Sequence, residues 1–126
     1  MFDWGGYLTL AESLASSTDE ASLRSAMSRA YYAVYRTAYN CFPDATTAER
    51  ADSHTHFWNQ LINKGRLARG VAQRGKRLLQ ARHDSDYQDV FPGDVPETTA
   101  GSLEDARKAM ADLASVQQAQ ARTGRS

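Results

Sequence analysis

Apolar residues recur at intervals of three and four along most of the chain, and this spacing predicts helices rather than strands. The pattern is sharpest between Ser17 and Phe42, where about seven turns contain no Gly and no Pro. Ser17 and Glu20 have the spacing of a capping box, and Pro43 supplies a stop. One face of this segment is apolar, with Leu23, Met27, Ala30, Val34, Ala38 and Cys41. The pattern predicts one long helix, central to the fold and its longest element.

Four more segments have helical periodicity. They cover residues 4–16, about 52 or 53–64, 67–82 and 102–118. Asp3 precedes the first as a cap, and Gly65 is expected to end the third. Each segment has apolar residues that are expected to face the core. In the first two segments these are Tyr7, Leu8, Ala11, Leu14 and Ala15, and Phe57, Trp58, Leu61 and Ile62. In the last two segments they are Leu67, Val71, Leu78 and Leu79, and Leu103, Ala106, Met110 and Leu113.

Residues 84–101 interrupt the periodicity with Pro92, Gly93, Pro96 and Gly101, and they are expected to form a long irregular crossover. No segment has the alternation of a strand. The expected fold is therefore an all-α, up-and-down bundle of about five helices, with one domain over residues 1–120 and a flexible tail over 121–126.

Composition adds limits to this picture. A chain of 126 residues buries a core without covalent crosslinks. Its single cysteine, Cys41, forms no internal disulfide and lies on the predicted core face, which favours a reducing compartment. With no long apolar run and no signal-peptide pattern at the N-terminus, we expect a cytoplasmic protein away from the membrane. His54 and His56 are two residues apart and predict no metal site; they are expected to be partly exposed and structural.

Charge is distributed unevenly although the net charge is zero. Residues 64–83 contain seven Lys and Arg and no acid, and residues 84–97 that follow are acidic. A surface polarised in this way can steer an anionic partner.

The face of the long helix opposite the core stripe carries Ser25, Arg29, Tyr32 and Arg36. Arg and Tyr present planar surfaces and hydrogen-bond donors, which suit interfaces and phosphate groups. The alternative is a solvated helix face that happens to be basic. A helix with two distinct faces predicts a symmetric dimer that buries the second one.

Two segments together resemble the small stand-alone bacterial HEPN domains: SRAYYA at 28–33 and RHDSDY at 82–87. The resemblance implies a helical bundle that dimerises. It also implies a metal-independent endoribonuclease, often from a toxin–antitoxin or phage-defence system. The family signature is Arg, four to six residues, then His. Arg77 and His83 match it literally, whereas Arg82 stands where many relatives carry the arginine and is followed five residues on by Tyr87.

Cleavage of RNA through its own 2′-hydroxyl needs a proton acceptor and cations for the phosphate, which His and Arg provide. The candidate catalytic residues are therefore Arg77, Arg82 and His83, without metal or cofactor. The candidate RNA-binding or supporting residues are Arg29, Tyr32, Arg36, Asp86 and Tyr87. In the alternative interpretation, Arg82, Asp86 and Tyr87 form a structural network that fastens the crossover to Arg29 and Tyr32.

The sequence leaves three functions open. The first is the endoribonuclease, and the second is a non-catalytic adaptor that holds RNA or a partner protein in the same groove. The third is the toxin of a pair whose nucleotidyltransferase-type antitoxin modifies a tyrosine, for which Tyr87 is the candidate. The expected partners are RNA, a second copy of the chain, and an antitoxin or defence-complex protein.

Overall fold

The computed structural model describes residues 1–45 and 53–124, and within them every regular element is helical. The helices are α1 (Gly5–Leu14), α2 (Glu20–Cys41), α3 (Ser53–Leu61), α4 (Arg66–Tyr87) and α5 (Val95–Gly124), with a 3₁₀ turn at Pro43–Ala45. This confirms the predicted all-α bundle. Helix α2 packs against α1, α4 and α5 and is therefore central.

The core lies along the predicted apolar face of α2, all six residues of which are buried. Around them are buried the larger side chains of the other helices: Phe57, Trp58 and Leu61 of α3, Val71 and Leu78 of α4, and Leu103 and Leu113 of α5. Leu67 was predicted to be a core residue, and this prediction is wrong: its side chain is 42% exposed, in the first turn of α4.

The start of α2 differs from the predicted capping box. The helix begins at Glu20, and the carboxylate of Asp19 accepts the backbone N–H of Ser22 at 3.1 Å. Ser17 lies outside the helix, where its hydroxyl accepts the N–H of Asp19. Glu20 forms an ion pair with Arg24 instead of reaching back to the cap. Asp19 caps the helix in place of Ser17 because its carboxylate is a hydrogen-bond acceptor and also puts a negative charge at the helix N-terminus.

The acidic segment after α4 is much shorter than predicted. Helix α4 continues to Tyr87, and α5 begins at Val95, so the connection covers only residues 88–94. The carboxylate of Asp94 accepts the N–H of Glu97 at 2.8 Å and caps α5. Pro96 is tolerated there because the first turn of a helix needs no N–H donor. Helix α5 has 30 residues against 22 in α2, so the prediction that α2 is the longest is wrong.

Arg24 explains why α4 extends past its predicted end. Its guanidinium donates to the backbone carbonyls of Ser85, Gln88 and Asp89 and lies 5.6 Å from the ring centre of Phe91. A cation at this position satisfies carbonyls that the end of a helix leaves free. Arg82 and His83 consequently lie inside a continuous helix, not at its end.

Other boundaries also shift. Gly65 has a φ of 118° and immediately precedes α4, while α3 ends earlier, at Leu61. Asp52, one of the two predicted starts of α3, lies outside the described residues. Helix α5 continues past the predicted end at 118 to Gly124. None of the helices in residues 1–45 and 53–124 is long and apolar enough to cross a membrane.

Candidate functional site

The two sequence segments 28–33 and 82–87 meet where α2 packs against α4. The hydroxyl of Ser28 donates to Oδ2 of Asp86 at 3.3 Å, and the hydroxyl of Ser85 donates to the sulfur of Met27 at 3.6 Å. Ser28 and Asp86 are 58 residues apart in the chain, so their contact is a property of the fold. The interface of α2 and α4 is therefore a candidate site.

Arg82 is the centre of that contact. Its guanidinium carbon lies 5.1 Å from the ring centre of Tyr32, 6.0 Å from Tyr31 and 5.9 Å from Tyr87. Its Nε is 3.3 Å from Oδ2 of Asp86, an ion-pair distance, and it donates no hydrogen bond to the described part of the chain. Only 17% of the Arg82 side chain is exposed. We call Ser28, Tyr32, Arg82, Asp86 and Tyr87 the Arg82 network.

A cleft of about 520 Å³ opens beside this network, between the start of α3 and the second half of α4. Its described lining residues are His54, Thr55, Lys76, Leu79, Gln80, Arg82 and His83. The described lining includes two imidazoles and two cationic side chains but no carboxylate. His83 is exposed, with its ring centre 5.1 Å from that of Tyr87. Such a surface attracts an anion.

His54 is fixed in the cleft wall by hydrogen bonding and stacking. Its Nδ1 is 2.6 Å from the hydroxyl of Tyr31, which also accepts the indole N–H of Trp58 at 3.2 Å. Its ring lies against Tyr35, with centres 4.1 Å apart and planes inclined by 19°. Burial, and then the charge of Arg82, lower the pKa of His54, and burial raises the pKa of Tyr31. Both side chains are therefore neutral near pH 7.

Arg77 is not part of the cleft wall. Its guanidinium forms a bidentate pair with Asp105 of α5, with bonds of 3.0 and 2.9 Å, and the hydrogen bonding to Asp105 raises its pKa. Because α4 is one continuous helix, side chains six residues apart leave it in directions about 120° apart. Arg77 and His83, the literal match to the Arg–His signature, are therefore on different sides of α4.

The two arginines predicted to bind RNA, Arg29 and Arg36, contact aromatic rings outside the cleft lining. The guanidinium of Arg29 lies 4.9 Å from the ring centre of Tyr7, and that of Arg36 lies 5.1 Å from Trp4 and 5.0 Å from Tyr39. The face of α2 opposite the core stripe is thus partly covered by the aromatic rings of Tyr7 of α1 and of Trp4, which precedes α1. The predicted site residues therefore lie in three separate places. The Arg82 network and His83 lie at the cleft, Arg29 and Arg36 lie against the rings of Tyr7 and Trp4, and Arg77 is paired with Asp105.

Two residues of the cleft with ionisable side chains, Lys76 and His54, were not proposed as site residues from the sequence. Lys76 belongs to the basic run but has no motif around it. His54 was expected to be partly exposed and structural, and the structure does place it half-buried and bonded to Tyr31. Its position in the cleft depends on how α3 packs on α4. The described residues include no group of three or more His, Cys, Asp or Glu placed to hold a metal ion.

Comparisons of the chain with protein-family models, with curated proteins and with solved structures find no match. The chemistry of the cleft, and of the two segments that meet beside it, is therefore the basis for inferring a function.

Proposed function

We propose that the protein is an RNA-directed, metal-independent endoribonuclease and that the cleft is its active site. One observation carries the proposal: His83 lines the cleft together with Lys76 and Arg82, and the described lining contains no carboxylate. Imidazole is the usual proton carrier near neutral pH, and cations stabilise the charge that develops on a reacting phosphate. The resemblance of segments 28–33 and 82–87 to HEPN domains points to the same chemistry.

The proposed reaction is a transesterification within RNA. His83 accepts the proton of the 2′-hydroxyl, and the 2′-oxygen attacks phosphorus. The bond from phosphorus to the 5′-oxygen breaks, and the proton passes to that oxygen. The products are a 2′,3′-cyclic phosphate and a 5′-hydroxyl, so neither water nor a redox partner is consumed. Lys76 and Arg82 supply positive charge next to the phosphate.

A non-catalytic adaptor is the second candidate, and the state of Arg82 favours it. This side chain is largely buried and already contacts three tyrosine rings and Asp86. In the adaptor, the Arg82 network maintains the packing of α2 on α4, while Lys76 and His83 hold RNA or an acidic segment of a partner protein.

The biological setting is proposed from the HEPN resemblance. It comprises a cytoplasmic location, a toxin–antitoxin or phage-defence system, and an antitoxin or defence-complex partner. Tyr87 is 64% exposed, so an antitoxin that modifies tyrosine could reach it. The gene next to this one would identify such a partner.

A symmetric dimer is also proposed, formed through the surface that carries Arg29 and Arg36 with the rings of Trp4 and Tyr7. Phe2 extends this surface and is 57% exposed. Aromatic and arginine side chains are enriched in protein interfaces. Light scattering at high micromolar concentration should give twice the chain mass of 13.9 kDa. A measured mass of 13.9 kDa, that of a single chain, would contradict the dimer.

The proposed function is tested by incubating the purified protein with a structured RNA in the presence of EDTA. The endoribonuclease should yield fragments that end in 2′,3′-cyclic phosphate. An adaptor should shift the RNA in a native gel and leave it intact. Binding should weaken steeply with added salt in both cases, because it depends on phosphate contacts.

A further inference from the structure

The hydrogen bonds between Trp58, Tyr31 and His54 run in one direction. An indole N–H can only donate, so the Tyr31 oxygen is the acceptor of the 3.2 Å bond from Trp58. The Tyr31 side chain is fully buried, and its own hydroxyl proton therefore needs an acceptor. Nδ1 of His54, 2.6 Å away, is that acceptor. It follows that Nδ1 carries no proton.

A neutral imidazole without a proton on Nδ1 carries it on Nε2. Within residues 1–45 and 53–124, Nε2 of His54 has no hydrogen-bond partner, and His54 lines the cleft. Protonating the ring would put a hydrogen on Nδ1 and break the bond from Tyr31. Burial, and then the charge of Arg82, also lower the pKa of His54 and so favour the neutral ring.

We propose that His54 is an uncharged N–H donor to a non-bridging oxygen of a phosphodiester bound in the cleft. This inference rests on the proposed function and assigns a role that the HEPN resemblance did not. Negative charge on those oxygens grows in the transition state, where a preorganised donor is most effective. His83 moves the proton, and His54 holds the phosphate without exchanging a proton.

The ring of His54 is held firmly enough for this role. Stacking on Tyr35 at 4.1 Å and an edge contact with Tyr32 at 6.3 Å restrict its rotation, while Tyr31 fixes which nitrogen is protonated. Tyr31 and Trp58 are accordingly positioning residues. A donor fixed before the substrate arrives costs no reorganisation during the reaction.

Substitutions of His54 distinguish the role of a hydrogen-bond donor from that of a proton carrier. His54→Gln retains an N–H near the position of Nε2 but cannot exchange protons, whereas His54→Ala has neither ability. In the EDTA cleavage assay, His54→Ala should lose about a hundredfold in rate, and His54→Gln should stay within about tenfold of wild type. His56, also on α3 but outside the described cleft lining, is the control, and His56→Ala should cleave normally. Full activity of a folded His54→Ala protein, or equal loss in both His54 variants, would overturn the proposal.

Nitrogen NMR of the ¹⁵N-histidine-labelled wild-type protein tests the same point without a variant. Nδ1 of His54 should show the shift of an unprotonated nitrogen and Nε2 that of a protonated one. A 2′-O-methyl RNA oligonucleotide, which cannot be cleaved, should move the Nε2–H signal. Tyr31→Phe, checked for native helicity, should mix the two tautomers. A protonated Nδ1 in the free wild-type protein would overturn the inference.

The two proposals can fail separately in these experiments. If the oligonucleotide moves the Nε2–H signal but no RNA is ever cleaved, the nuclease proposal fails and the donor role of His54 stands. If cleavage depends on His83 while His54→Ala is fully active and the Nε2–H signal is unmoved, only the donor role fails. If the protein neither binds nor cleaves RNA, both fail.

Discussion

The indole ring of Trp58 packs directly on the backbone of Gly75. A Cβ atom at position 75 would lie 2.7 Å from three of its ring carbons, closer than carbon atoms can approach. Glycine in the middle of α4 therefore allows α3 to seat its largest side chain in the core. That contact also positions His54, since Trp58 lies one turn further along α3.

Gly75→Ala should consequently destabilise the protein although alanine favours helices. Overpacking of this kind costs about 1–3 kcal/mol, which exceeds the helix-propensity gain of about 1 kcal/mol. Urea denaturation followed by circular dichroism measures the difference. Gly101→Ala is the matched control, because its Cβ would meet no atom within 4 Å, and it should be neutral or stabilising. Equal effects of the two substitutions would contradict the packing argument.

Most of the fold follows from the periodicity of apolar residues. The core face of α2 is entirely buried as predicted, because a 3.6-residue repeat over six turns leaves no other face for the core. The errors lie at helix ends. Pro96 and Gly101 suggested a loop, but Asp94 caps α5 just before them. Arg24, which precedes Ser85 by 61 residues, donates to carbonyls at the end of α4, and such a contact cannot be read from the local sequence.

The candidate site was only partly predictable, because it too depends on contacts between distant parts of the chain. Segments 28–33 and 82–87 were selected by their residues, and the fold does bring them together through Ser28 and Asp86. The direction of each side chain depends on the helix that carries it. Because α4 runs unbroken to Tyr87, Arg77 and His83 leave it on different sides, and Arg77 pairs with Asp105. His54 lines the cleft because α3 packs on α4, and no sequence motif indicates that packing.

Met27→Asp should unfold the protein. Met27 is 1% exposed and packs with Ala81 and Phe91, where a carboxylate would be buried without a partner. We expect the loss to reach the free energy of unfolding of a typical small domain, about 5 kcal/mol or more. Circular dichroism should show the loss of helix. Ser25→Asp, an exposed position on the same helix, should keep native helicity; unfolding of both would refute the assignment of faces.

Arg82→Ala and Asp86→Ala should each lower the melting temperature by several degrees. Either change leaves the other charge of the pair without its partner beside Tyr32, a cost of about 1–3 kcal/mol and roughly 4 °C for each kcal/mol. Differential scanning calorimetry measures the shift. Lys76→Ala, at an exposed position on the same helix, should change stability by less than about 0.5 kcal/mol. An unchanged melting temperature in the Arg82 and Asp86 variants would show that the network is not structural.

The stability of the protein should fall in mild acid because of His54. Its pKa is lowered in the folded state, first by burial and then by Arg82. Such a group stabilises the protein above its unfolded pKa of about 6.5, and this contribution is lost as the pH falls toward the folded value. The groups around it are the rings of Tyr31, Tyr32 and Tyr35 of α2 and the guanidinium of Arg82 of α4.

Urea denaturation at pH 7 and pH 5 tests this expectation by comparing variants. His54→Gln should lose less stability between the two pH values than wild type. His56→Gln should retain the wild-type difference. An identical pH dependence in wild type and His54→Gln would show that His54 is not held neutral in the folded protein.

The central claim is that His83 performs chemistry in the cleft, and the EDTA cleavage assay on His83→Ala tests it most directly. The exposed position of His83 means that its removal should leave the melting temperature unchanged. The account predicts that cleavage of the same RNA falls by about two orders of magnitude, as expected for the loss of an acid–base group, while His56→Ala cleaves at the wild-type rate. A folded His83→Ala protein that cleaves RNA as fast as wild type would contradict the account.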